Sequence, residues 1–201
     1  MLLIFDVESS GLFDFKAPPD ASHQPRLVEM AAALYYEMEP QIIAQQISLV
    51  VKPEGFEIPE AASNIHGITT ETALAIGLPT QVVLAAFNGL MRVCTASAAF
   101  NYQYDENVLR GEFLRLGKPH RFGGLIQGTQ RKQERIDVML DAKDHCKIPG
   151  KYNDWKWPSL AEAHQHFFGQ PVDQAHEAMA DVKATAKIHF EMIRLEREQK
   201  K

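Results

Sequence analysis

Residues 1–12 read MLLIFDVESSGL, and this stretch decides the fold because an apolar run leads directly into two carboxylates. Such a run predicts a short strand over residues 2–7 that is buried on both faces of a sheet. Side chains two residues apart on a strand point to the same face, so Asp6 and Glu8 are expected side by side at the carboxyl end of the strand. Open α/β sheets bind their ligands at that end.

The remaining pattern predicts one α/β domain over residues 1–201, with a mixed β-sheet flanked by α-helices. At 201 residues the chain is long enough for one substantial domain. Two further strands are predicted near the N-terminus and are joined by a hairpin, after which helices and strands alternate. The predicted strands cover 26–36, 41–51 and 93–100, a short element covers 136–140, and helices cover 80–91, 101–117, 159–168 and the stretch from about Glu177.

The overall composition is that of an ordinary globular protein. The chain has 26 acidic and 21 basic residues, a net charge of −5 that argues mildly against broad binding to polyanions. The two cysteines form no CxxC pair, and neither a signal peptide nor a membrane span is predicted. We therefore expect a cytoplasmic protein with reduced thiols and no membrane association.

Two local features are open to more than one interpretation. Residues 115–135 hold six basic residues against Glu134 alone, which fits a local phosphate contact or a solvated loop equally well. Trp155 and Trp157 fit stacking on nucleic-acid bases, or anchoring of the chain before the following helix.

Two neighbouring carboxylates raise each other's pKa unless a cation lies between them, and oxygen-only ligands favour Mg²⁺ or Mn²⁺. By itself a D-x-E pattern is more often a solvated strand end. Two further acids change that balance, because Asp105 follows a strand of small residues and Asp181 stands among apolar residues. His176 precedes Asp181 by five residues, and at or before the helix start it would be free to face the same site. A lone histidine in that position is more often a capping or packing residue.

In order and spacing, DVE at 6–8, N-x-x-x-D at 101–105 and H-x-x-x-x-D at 176–181 resemble the three motifs of the DEDD (DnaQ-like) exonuclease superfamily. The position of the histidine resembles that of the DEDDh branch. The segment ending in HGIT at 66–69 is also similar to one found in the family.

The resemblance implies a ribonuclease H-like fold and assigns a role to each matching position. The metal ligands of two Mg²⁺ or Mn²⁺ ions would be Asp6, Glu8, Asp105 and Asp181, and His176 would be the general base. Contacts to the terminal nucleotide would come from Ser9, Ser10, Gly11, Leu12, His66 and Asn101. Ser9-Ser10 stands where the family often has Thr-Thr, Phe100 where it often has histidine, and residues 13–25 form a longer stretch than usual.

These assignments imply a metal-dependent 3′–5′ exonuclease that hydrolyses single-stranded DNA or RNA 3′ ends and releases nucleoside 5′-monophosphates. Two alternatives stay open: a catalytically silent module that binds nucleic-acid ends or a protein partner on the same fold, and an endonuclease. A polymerase partner would have to bind the surface of this domain. The sequence does not separate DNA from RNA.

Overall fold

Strand β1, Leu2–Ser9, lies at the centre of the sheet in the computed structural model, which describes residues 1–37, 39–126, 128–152, 154–173 and 177–200. Antiparallel pairing joins β1 to β2 (Leu27–Tyr36) and β2 to β3 (Glu39–Val50). Parallel pairing joins β1 to β4 (Ala96–Ala99) and β4 to β5 (Glu134–Asp137). The strand order in this described sheet is β3-β2-β1-β4-β5.

Seven helices within the described residues connect and cover these strands. They are α1 (Glu60–His66), α2 (Thr70–Ile76), α3 (Thr80–Val93), α4 (Tyr102–Arg115), α5 (Val138–Cys146), α6 (Leu160–Phe168) and α7 (Ala178–Gln199). The mixed sheet flanked by helices confirms the predicted fold class. None of the helices in the described ranges combines the length and apolar character that crossing a bilayer requires.

The side chains of β1 alternate between two cores. Leu3, Phe5 and Val7 pack with α3 and α4 on one face of the sheet, whereas Leu2 and Ile4 pack with α5 and α7 on the other. Both faces of the strand are therefore buried, which explains its continuous apolar run. The alternation continues past Ile4, so Asp6 and Glu8 face the layer that contains α7.

The pairing of β1 ends differently on its two edges. Pairing with β4 stops at Ile4, so the two acids extend beyond the end of that neighbour. On the other edge the register with β2 shifts between Glu8 and Ser9. Such a bulge redirects a strand, and here it turns the chain into the Ser9–Leu12 segment.

Two sequence-based boundaries were wrong. The strand predicted over 93–100 is shorter, because α3 continues to Val93 and β4 covers only Ala96–Ala99. The segment 136–140 is not one element, since β5 ends at Asp137 and α5 begins at Val138. The Asp137 carboxylate accepts the backbone N–H groups of Met139 and Leu140, at 3.1 and 3.3 Å, and this cap starts a helix that the sequence pattern did not predict.

Candidate active site

Three of the four predicted acids come together at the carboxyl end of β1. One carboxylate oxygen from each of Asp6, Glu8 and Asp181 lies within 4.8 Å of the other two. Asp6 and Glu8 come from alternate positions of β1, and Asp181 comes from the first turn of α7, which covers that face of the sheet. The strand periodicity and the placement of α7 therefore produce the acidic cluster directly.

The electrostatics of this cluster are unfavourable without a cation. Burial raises the pKa of Asp6 well above its ordinary value, and the charges of Asp105, Asp181 and Glu8 raise it further. Burial also raises the pKa of Glu8 to about 8, with additional contributions from Asp181 and Glu29. Glu29 lies directly opposite Glu8 on β2 and was not identified from the sequence.

Asp105 lies beside this cluster rather than within it. Its side chain is only 3% exposed in the first turn of α4, the helix that packs on the opposite face of the sheet from α7. Its carboxylate accepts the backbone N–H of Val7, and its Oδ2 is buried without a hydrogen-bond partner among the described residues. Burial raises the pKa of Asp105, and the charges of Glu8 and Asp137 add to this effect.

The donor set suits hard divalent cations. It consists of carboxylate oxygens, which favour Mg²⁺ and Mn²⁺ over softer metals. The buried Oδ2 of Asp105 is an acceptor that a cation or its bound water would satisfy. A cation would also relieve the mutual repulsion that raises the pKa values of Asp6 and Glu8.

The predicted general base, His176, lies outside the described residues. The following helix begins at Ala178 with Glu177 as its N-cap. The role of His176 therefore stays a prediction.

A cavity of about 300 Å³ lies next to the acidic cluster, because Glu8 belongs to the cluster and also lines the cavity. The Ser9–Leu12 segment and His66, to which the family resemblance assigns substrate contacts, form part of its wall. Most of the remaining wall belongs to α1 and to α4, through Pro59, Ala61, Ala62, Ile65 and Tyr104. The structure therefore brings five of the six predicted contact residues together.

His66 ends α1 with its ring buried against this cavity. Its Nδ1 accepts the backbone N–H of Ile68 at 3.1 Å, while its Nε2 is buried with no partner among the described residues. Burial lowers the pKa of His66. A neutral imidazole with an unsatisfied Nε2 is suited to form a hydrogen bond with a ligand in the cavity.

The sixth predicted contact residue, Asn101, has a different position within the described chain. It is the N-cap of α4 with a left-handed backbone (φ 68°, ψ 56°), and it does not line the cavity. Asparagine adopts this conformation more readily than most residues. The backbone N–H groups of Asn101 and Tyr102 are bound by the Asp137 carboxylate, so the asparagine marks a turn in the structure.

Tyr104 is a cavity residue that sequence reasoning missed. Its hydroxyl lies 2.6 Å from Ser9 Oγ and donates to the carbonyl oxygen of Gly11 at 2.7 Å. Ser9 Oγ also donates to that carbonyl, at 2.9 Å. The only available signal was its position directly before Asp105 in the first turn of a helix.

The longer segment at 13–25 is tied to the body of the domain. The buried side chain of Glu112 on α4 accepts from Arg26 Nε at 2.7 Å, Arg115 Nη1 at 3.1 Å and the backbone N–H of Leu27 at 3.2 Å. Arg115 in turn donates to the backbone of the segment at Ala21. The ion pairs thus hold the segment that leads from the cavity wall into β2.

Only part of the basic segment 115–135 is available for other contacts. Arg115 pairs with Glu112, and Arg135 pairs with the buried Glu106. Lys118, Arg121, Arg131 and Lys132 are exposed like Arg135, but they form no ion pair among the described residues. The charge run therefore combines structural ion pairs with solvated side chains.

The sheet order and the acids at the end of its central strand define an α/β protein of the ribonuclease H-like class. Within that class, residues 3–189 match the family described as Exonuclease (RNase_T), and the chain belongs to that family. This match confirms the expected DEDD-superfamily exonuclease, while the DEDDh branch stays a prediction. No curated protein gives a significant match.

Solved structures of exonuclease I have a similar fold. E. coli exonuclease I with a dT13 oligonucleotide is 21% identical with a TM-score of 0.73, covering 96% of this chain and 40% of that chain. A zinc-bound E. coli exonuclease I–ssDNA complex is 22% identical with a TM-score of 0.73, covering 98% and 41%. An exonuclease I/SSB-Ct complex is 19% identical with a TM-score of 0.73, covering 98% and 42%. The chain thus spans about two fifths of these proteins.

Proposed function

We propose that the protein is a metal-dependent 3′–5′ exonuclease that hydrolyses single-stranded DNA from its 3′ end and releases nucleoside 5′-monophosphates. The observation that carries this proposal is the cluster of Asp6, Glu8 and Asp181, with carboxylate oxygens within 4.8 Å, beside the cavity lined by Ser9–Leu12 and His66. In this arrangement the terminal nucleotide occupies the cavity while its phosphate lies at the acids.

The metal ligands in this proposal are Asp6, Glu8, Asp181 and the adjacent Asp105, which together hold two Mg²⁺ or Mn²⁺ ions. When bound, such ions lower the pKa of a coordinated water and stabilise the charge that develops on the phosphate oxygens. The carboxylates determine where the metal ions lie, and the ions neutralise the phosphate charge at that place. The net charge of −5 therefore does not oppose binding of a nucleic-acid end. His176 is proposed as the general base that removes the proton from the attacking water.

The cavity supports action on ends. Its volume of about 300 Å³ is at the small end for ligand pockets and suits one terminal nucleotide. Leu12, 92% exposed at the rim, offers an apolar surface to the terminal base, and His66 Nε2 offers a hydrogen bond. The wall of the cavity next to the terminal nucleotide is formed by Ser9, Ser10 and Gly11. Asn101 contributes indirectly, because it forms the turn that starts α4.

Single-stranded DNA is the substrate we favour because the exonuclease I structures with a similar fold are complexes with DNA oligonucleotides. RNA ends are a second substrate class for the same site. A polymerase partner, a cytoplasmic location and a single domain over residues 1–201 are predictions that belong with this proposal.

A degradation panel tests the proposal. The substrates are 3′-labelled and 5′-labelled single-stranded DNA, the same strands in RNA and duplex form, and circular single-stranded DNA, each with Mg²⁺ or Mn²⁺. We expect the 3′ label to leave at once as mononucleotide and the 5′ label to give a ladder of shortened strands. Asp181→Asn is the matched inactive control.

Two outcomes would overturn the assignment. Cleavage of the circular strand indicates an endonuclease. Intact strands under all conditions, with binding of ends that Asp105→Asn leaves unchanged, indicate a binding module on the same fold.

A further inference from the structure

Both tryptophans of the chain lie at one exposed site outside the cavity. Trp155 and Trp157 are 43% and 61% exposed, and the nearby Tyr152 is 80% exposed. This exposure leaves both rings open to contact with a ligand. Large aromatic side chains are usually well buried, so an exposed group of three requires a functional explanation.

A short hairpin presents these rings; we use this name for residues 147–152 and 154–157. An isolated antiparallel bridge pairs Pro149 with Trp155. The backbone N–H of Gly150 donates to the carbonyl oxygen of Asp154 at 2.7 Å, and that of Lys156 donates to Ile148 at 2.9 Å. These bonds position the backbone that carries the rings before a ligand binds.

The hairpin is positively charged on an acidic chain. Lys147, Lys151 and Lys156 are exposed, against Asp154 as the single acid of the hairpin. Lys156 forms an ion pair with Glu162 at 2.6 Å, and Lys151 Nζ lies 5.4 Å from the centre of the Tyr152 ring. Lysines interleaved with exposed aromatic rings suit a ligand that carries both phosphates and bases.

We propose that the hairpin is a second binding surface for single-stranded DNA, on which bases of the strand upstream of the cavity stack on Trp155 and Trp157 while phosphates contact Lys147 and Lys151. The proposal rests on the proposed function, since it assigns a place to the part of the substrate that the cavity does not hold. Helix α5 leads from the carboxyl end of β5 to the hairpin. This helix has nine residues, about 13 Å, so a strand that engages both surfaces has to extend beyond the terminal nucleotide.

Intrinsic fluorescence gives a direct test because both tryptophans are in the hairpin. The full chain carrying Asp181→Asn, which does not degrade the strand, is titrated with oligo(dT) of about 20 nucleotides. We expect saturable quenching of tryptophan emission. In fluorescence anisotropy, Trp155→Ala with Trp157→Ala should weaken binding by roughly tenfold or more, and phenylalanine at both positions should restore most of the affinity.

Two further sets of variants test the contribution of the lysine charges and provide a matched control. Replacing Lys147 and Lys151 by Gln should reduce the slope of log K against log salt by about 0.7 for each phosphate that the variant no longer neutralises. Tyr36→Ala removes another exposed aromatic ring, on β2, and should leave the dissociation constant unchanged.

The outcomes separate this proposal from the proposed function. Oligo(dT) that causes no quenching, with unchanged affinity in the tryptophan variants, overturns the hairpin proposal and assigns the exposed rings to a protein partner. If that result occurs while the wild-type protein degrades single-stranded DNA, the exonuclease proposal stands by itself. Quenching by oligo(dT) in a wild-type protein that never cleaves DNA supports the hairpin and contradicts the exonuclease proposal.

Discussion

The Tyr104 hydroxyl lies 2.6 Å from Ser9 Oγ and 2.7 Å from the carbonyl oxygen of Gly11, so helix α4 fixes the turn that follows the acidic end of β1. The next residue on α4, Asp105, accepts the backbone N–H of Val7 on the same strand. One helical turn thereby positions both the wall of the cavity and the charge beside the acidic cluster.

The first prediction concerns the hydroxyl of Tyr104. Tyr104→Phe keeps the ring but removes the hydroxyl that donates to the Gly11 carbonyl oxygen and lies 2.6 Å from Ser9 Oγ, so we expect a cavity that binds the terminal nucleotide less well. KM for single-stranded DNA should rise by about three- to tenfold, with a smaller change in kcat. Steady-state kinetics measures KM and kcat separately, with Tyr36→Phe at an exposed position as the control. A fall in kcat at constant KM would show that the hydroxyl acts on the chemical step instead.

The second prediction concerns metal binding by Asp181. Asp181→Asn removes one negative charge from a cluster whose members raise each other's pKa, so the metal-free variant should be at least as stable as the wild type. Mg²⁺ or Mn²⁺ should stabilise the wild type by about 2.7 kcal/mol at a hundredfold excess over Kd, and the variant much less. Thermal unfolding with and without metal measures both effects.

A nuclease assay on the same samples links metal binding to activity. Asp181→Asn should lose activity without losing its fold. Equal stabilisation of both proteins by metal would contradict the assignment of Asp181 as a ligand.

The third prediction concerns the buried carboxylate of Glu112. Glu112→Gln leaves Arg26 and Arg115 without their negatively charged partner, and breaking such a buried ion pair should cost about 3 kcal/mol of unfolding free energy. Glu198→Gln breaks an exposed pair with Arg194 and should cost less than about 1 kcal/mol. Urea unfolding measures both variants.

Limited proteolysis gives a second measurement for Glu112. The exposed Lys16 lies in the segment that Arg115 holds, so trypsin should cleave there faster in Glu112→Gln. Unchanged cleavage at Lys16 would show that the ion pairs do not control this segment.

The strand periodicity of MLLIFDVE was sufficient to predict the central strand, the shared face of Asp6 and Glu8, and the edge of the sheet where ligands bind. The resemblance to the exonuclease family added the Ser9–Leu12 segment and His66, which the structure places in one cavity wall. Local patterns succeeded here because alternation along a strand and position along the chain determine those side-chain directions.

Contacts between distant elements were not predictable in the same way. Asp105 lies beside the cluster rather than in it because α4 packs on the opposite face of the sheet from α7, a property of topology. The roles of Tyr104, Glu29 and Glu112 depend on partners far away in the chain, and a local pattern does not reveal such partners. The exposure of Trp155 and Trp157 likewise depends on tertiary packing around the hairpin, which a local sequence pattern does not determine.

The fourth prediction concerns the buried histidine of α7. Burial lowers the pKa of His189 in the folded protein below the ordinary value of 6.5, with an opposing effect from Glu196. Between these two pKa values the unfolded chain binds the proton and the folded chain does not, so His189 favours unfolding as the pH falls below about 6.5. Relative to His189→Gln, the wild type should therefore lose stability by up to about 1.4 kcal/mol per pH unit in that range. Urea unfolding of both proteins at pH 7.5, 6.5 and 5.5 measures the difference, and parallel profiles would contradict the assignment.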